Sequence, residues 1–181
     1  MKKSIALIMA AVMLCSCCAA FADVLTGEGT IRRGMYVNGS FSCSVPVNFQ
    51  VDDFDRDAQR VKLNGPADAN GFFPHLLLTV LDSPYDLSDC SESRELRAVK
   101  DYDGYRNTLC VLDEDCSLYG KEAHRLMILY NTSDERMNIW YSIYTNVEGY
   151  GVNIVYTAYS ATRTIPGDLE EVDRIVKNIA F

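Results

Sequence analysis

From residue 35 onward, apolar and polar positions mostly alternate with the two-residue period of half-buried strands. Met35 to Phe49 (MYVNGSFSCSVPVNF) sets Phe41, Cys43, Val45 and Val47 against mostly polar neighbours, with Asn38-Gly39 as a hairpin-turn dipeptide. Pro46 assigns that strand to an edge or ends its pairing. Asp52 to Arg60 reads as a charged turn, Arg60 to Asn64 as a short strand, and Gly65 to Gly71 as a loop. The nearly continuous apolar run His75 to Leu81 fits a strand covered on both faces.

Leu87 to Lys100 carries an imperfect helical stripe of Leu87, Leu96 and Val99, with Ser88 and Asp89 as good N-terminal residues. Asp103-Gly104 signals a turn, Thr108 to Leu112 a short strand, and Asp113 to Gly120 an acidic loop. His124 to Tyr130, Met137 to Tyr144 and Val152 to Tyr159 are strands, and the last two are tyrosine-rich, as suits surfaces part buried and part wet.

The clearest helix closes the chain. Leu169, Val172, Ile175, Val176 and Ile179 form one apolar stripe, with Pro166 at its approach. Asp168 and Glu171 have the spacing of an N-terminal capping box, while Arg174 and Lys177 lie toward the opposite end of the dipole. A stripe of that kind needs a sheet to cover it. The expected fold class is therefore α+β, with a mostly antiparallel sheet and the C-terminal helix packed on it.

Residues 1 to 22 break this pattern. Lys2 and Lys3, the apolar run Ile5 to Leu14, and Ala20-Phe21-Ala22 have the order of a secretory signal peptide cleaved after Ala22. Residues 23 to 34 then form an irregular lead-in, and 35 to 181 one globular domain. Loss of Lys2 and Lys3 takes the formal charge from −8 to −10 (−8 − 2). The expected location is the periplasm or the extracellular medium. Leu14-Cys15-Ser16-Cys17 distantly resembles a lipobox, so acylation at Cys17, which would tether the protein to a membrane, is the competing reading.

In an oxidising compartment the remaining cysteines, Cys43, Cys90, Cys110 and Cys116, suggest two disulfides. Three pairings are open, and the short Cys110–Cys116 spacing points to a local loop that leaves Cys43 with Cys90. Zinc is a poorer account of these residues, for no close Cys-x-x-Cys pair is present.

The order of these features resembles the PsbP-like superfamily, named for an extrinsic subunit of photosystem II. Tyr36, Phe41 and Pro46 stand in its early strand, VNIVYTAYS in its late hairpin, and DLEEVDRIVKNIAF in its closing helix. The cysteines and the middle section depart from the photosystem members. The resemblance implies an α-β-α sandwich and an accessory or binding role; a relative in nuclear transport binds a small GTPase. It supplies no catalytic residue.

The remaining chemistry is sparse. A net charge of −8 disfavours nucleic acid as a partner. No phosphate loop, dinucleotide fingerprint or nucleophile elbow is present, and no cofactor is expected. The enzymatic alternative, a small exported hydrolase, would use His75 or His124, both at strand starts, and requires one of them to meet carboxylates or a hydroxyl in a pocket. A calcium-stabilised module is a further alternative. Asp53, Asp55 and Asp57 have the spacing of a calcium loop, although Ala58 and Asn64 replace its glycine and glutamate; Asp113 and Asp115 form a second acidic group. Asn38-Gly39-Ser40 and Asn131-Thr132-Ser133 match glycosylation sequons and read as turns. Phe72, Phe73 and Tyr150, each beside turn-forming residues, are the candidate binding residues for an envelope or extracellular protein or a small ligand. The chain is expected to be a non-enzymatic binding or accessory protein.

Overall fold

The computed structural model describes residues 29–56, 59–68, 71–90, 96–97, 106–131, 137–158 and 165–181. The expected leader and Cys17, Asp57, and most of 91–105 lie outside them.

Among the described residues, two antiparallel sheets form. The smaller has the order β1-β2-β3, from β1 (Thr30–Arg32), β2 (Met35–Val37) and β3 (Ser42–Ser44). Asn38 makes the β2–β3 turn, as its sequence predicts: its side-chain oxygen accepts from the backbone N–H of Ser40 and of Phe41, each at 2.8 Å.

The larger sheet has seven strands in the order β4-β5-β6-β10-β9-β8-β7. They are β4 (Gln50–Arg56), β5 (Arg60–Asn64), β6 (His75–Leu81), β7 (Arg106–Leu118), β8 (Lys121–Asn131), β9 (Met137–Val147) and β10 (Tyr150–Ala158). Strands β5 and β6 have the bounds the apolar pattern predicts. The C-terminal helix, Ile165–Asn178, lies on one face of this sheet. Its Val172, Ile175 and Val176 join Leu63, Leu76, Leu78, Ile143 and Ile154 in the main core.

Three assignments change. The charged turn at Asp52 is strand β4, whose pairing with β5 shifts register between Val51 and Arg56. Of the acidic loop expected over Asp113 to Gly120, Asp113 to Leu118 form the second half of β7, paired residue for residue with β8 from Leu112 to Leu118, and only Tyr119 and Gly120 make a turn. The charges of β7 alternate outward along an edge strand, where solvent accepts them. The middle helix does not begin at Leu87; Leu87–Asp89 is a single 3-10 turn capped by Asp86, and helical backbone is described only at Leu96 and Arg97. Leu96 packs on Ile128, Tyr130, Trp140 and Val155, on the sheet face away from the C-terminal helix.

The C-terminal helix starts earlier than its capping box implies. Pro166 occupies the first turn, where its missing N–H costs nothing, and Asp168 accepts a 2.7 Å hydrogen bond from Tyr156.

The disulfide expectation also fails. Among the described residues, no disulfide joins Cys43, Cys90, Cys110 or Cys116. Cys110 and Cys116 lie on one extended strand, where six residues span about 20 Å, against the ~7 Å limit for a bridge. Cys43 belongs to the core under the helix, while Cys90 packs with Leu126 and Tyr144 on the opposite face. The sheet separates that pair.

Candidate functional site

Two places on the large sheet combine shape with chemistry. The first is a groove of about 530 Å³ lined by Gly39, Ser40, Gln59, Val80, Asp82, Tyr150 and Phe181. The β9–β10 turn places Tyr150 there. Val147 pairs with Tyr150, so Glu148 and Gly149 alone make the turn, and both have positive φ (54° and 90°). The Tyr150 ring stacks on Phe181 with centroids 4.2 Å apart and planes at 18°. At the rim, Gln59 Nε2 donates to Asp82 at 3.0 Å. Gly151 seats the adjacent backbone, for a Cβ there would stand 2.7 Å from the Ser83 carbonyl oxygen.

The two aromatic loops do not converge. Phe73 precedes β6, whereas Tyr150 lies beside the far end of that strand, since Gly151 pairs with Leu81. Phe73 is 47% exposed and lines a separate cavity of about 410 Å³ with Asn48, Gln50 and Pro66. Phe72 is half-buried, and its N–H donates to Asp68.

The second place surrounds His124 on β8. Asp113 and Asp115, two residues apart on β7, share one face, and Asp115 pairs directly with His124. The Nδ1 of His124 lies 2.7 Å from Asp115 Oδ1, and Nε2 lies 3.0 Å from Asp113 Oδ1. The ring is buried, while Asp115 is exposed and lines a cavity of about 450 Å³ with Leu87, Ser88, Cys116, Glu122 and Ala123. Ser88 donates its hydroxyl to Asp86 at 2.6 Å.

His75 sits elsewhere. Its Nδ1 is 2.7 Å from Asn64 Oδ1, and Asn64 Nδ2 donates onward to Asp52, which also faces Lys62 at 3.5 Å. Burial, then the Lys62 charge, holds the His75 pKa below its ordinary value, against an opposing pull from Asp52. Asp53 and Asp55 lie in extended β4 and not in a loop. Among the described residues, no three His, Cys, Asp or Glu side chains converge as a ligand set.

Asp82, Gln59 and Phe181 were not foreseen as groove residues, for no local pattern joins them. The Asp113–His124–Asp115 arrangement had a signal. With Tyr119-Gly120 recognised as a two-residue turn, Leu118 pairs with Lys121 and Asp115 falls opposite His124.

No family model matches the chain, and no curated protein resembles it in sequence. Solved structures share its fold. The Ran-binding protein Mog1p of Saccharomyces cerevisiae superposes with a TM-score of 0.52 at 10% identity, over 84% of this chain and 94% of Mog1p. Cyanobacterial PsbP (CyanoP) from Synechocystis gives 0.52 at 15% identity, over 78% of this chain and 86% of CyanoP. A Bacteroides thetaiotaomicron protein gives 0.50 at 8% identity over 85% of this chain; the match spans 48%, about half, of that longer protein. The fold is PsbP-like, as the sequence resemblance implies.

Proposed function

We propose that this PsbP-like chain is a non-enzymatic binding or accessory protein of the cell envelope or extracellular space. It takes a protein partner or small ligand at the Tyr150 end of its sheet. The groove walled by the stacked Tyr150 and Phe181 rings carries this reading: it joins a flat aromatic surface to a carboxylate and an amide at its rim. The name of Mog1p, a Ran-binding protein on the same fold, supports binding as the class of activity. Export rests on the order of features in residues 1 to 22.

The hydrolase alternative draws on His124, which does meet two carboxylates beside a cavity. Nδ1 is held by Asp115, however, Nε2 is buried 3.0 Å from Asp113, and the nearby Ser88 hydroxyl is bonded to Asp86. An acyl-transfer site needs one nitrogen directed at a nucleophile. Binding is the better-supported reading.

The test is affinity capture from native envelope and culture fluid with wild type, Y150A, and F73A as a control at the other end of the sheet. A species retained by wild type and F73A and lost with folded Y150A supports the reading. Equal capture by all three, or none by wild type, overturns it.

A further inference from the structure

The His124 cluster holds a feature that the binding groove does not use. His124 has two carboxylate neighbours, and they do different things. The Nδ1 contact with Asp115, at 2.7 Å, is a hydrogen bond, and since a carboxylate only accepts, Nδ1 carries the proton. In the neutral ring the lone pair is then on Nε2. That atom is fully buried, and among the described residues no hydrogen bond reaches it, although Asp113 Oδ1 is only 3.0 Å away. The contact has ion-pair distance without hydrogen-bond direction. A lone pair beside a carboxylate oxygen is repulsive unless a cation is shared between them.

We propose that His124 Nε2 and Asp113 hold a divalent transition-metal ion, with Asp115 as the positioning carboxylate that fixes the ring. Two donors each about 2.1 Å from an ion stand about 3.0 Å apart at the right angle of a six-coordinate ion and about 3.4 Å apart at the tetrahedral angle, so the observed 3.0 Å fits the first directly and the second after a small opening of the pair. A metal-bound histidine typically donates its other N–H to a carboxylate, which is the role Asp115 fills here. The register of β7 and β8 builds this set: Asp115 pairs with His124 and Asp113 with Leu126, so both carboxylates flank one ring. An imidazole–carboxylate pair favours a borderline ion such as Zn²⁺ over Ca²⁺, which takes oxygen ligands. With no third protein ligand among the described residues, the remaining positions belong to water or to a group brought by a partner.

The experiment is a titration of the full-length chain with Zn²⁺ alone near neutral pH, following the imidazole nitrogens by NMR. His75 is the internal control, and the free thiols make this site-resolved readout preferable to bulk binding. One equivalent is expected to shift the His124 Nε2 resonance and leave His75 unmoved. D113N, at an exposed position, should weaken the response about tenfold or more, and D115N about 10- to 100-fold, with circular dichroism unchanged. The proposal is overturned by a His124 ring that keeps a proton on Nε2 in the presence of Zn²⁺. A D113N response within about twofold of wild type also overturns it.

Discussion

The Tyr141 hydroxyl donates a 2.6 Å hydrogen bond to Asp173, tying the middle of strand β9 to the C-terminal helix. The second oxygen of Asp173 accepts from Arg125 at 3.3 Å, and Arg125 also pairs with Glu114 on β7. Helix and edge strand therefore share one polar network at the margin of the core. Removing the hydroxyl in Y141F should cost about 1.5–3 kcal/mol in urea unfolding, the range for a hydrogen bond to a charged acceptor. Burial, then Asp173, raises the Tyr141 pKa above its ordinary 10.0. The folded state holds this proton more tightly than the unfolded chain, so the contribution is intact below pH 10 and lost as pH rises above it. Wild type should lose thermal stability there more steeply than Y141F; parallel profiles would count against the link.

His75 gives the opposite dependence. Its pKa is depressed, chiefly by burial, so the folded state takes up the proton less readily than the unfolded chain. Its contribution is present above the ordinary value of 6.5 and is lost as pH falls through the depressed folded value. Melting temperatures measured from pH 7.5 down to about pH 5 should fall more in wild type than in H75Q.

Glu148 occupies a left-handed position, φ 54°, in the two-residue turn before Tyr150. Asparagine tolerates that conformation far better than glutamate. E148N should raise stability by about 0.5–1 kcal/mol by chemical denaturation, without altering the Tyr150 stack. A loss of stability would mean that Glu148 makes a compensating contact.

The cysteines should remain thiols in the folded protein. Intact mass before and after alkylation in denaturant, without reductant, should show Cys43, Cys90, Cys110 and Cys116 all modified. In the native state Cys43 should resist alkylation, for burial pushes its pKa up to about 12. A Cys110–Cys116 bridge in the native protein would require β7 to break.

Elements whose cause is local can be read from the chain alone. The apolar run His75 to Leu81, the Asn38 turn and the Leu169–Ile179 stripe are periodic or side-chain-to-backbone patterns, and they define the antiparallel strands and covering helix. The PsbP-like order of features was legible for the same reason. Tertiary structure decided the pairings. A run of acidic residues reads as a loop until β8 is found hydrogen-bonded along it, because an edge strand tolerates charge that a central strand does not. Which cysteines can meet depends on which face of the sheet each side chain takes, and the register shift between Cys110 and Leu112 changes that parity midway along β7. The same register brings Asp113 and Asp115 to His124, and the fold, not any motif, lays Phe181 against Tyr150. Each candidate site depends on contacts between residues distant in sequence, where composition and period carry no information.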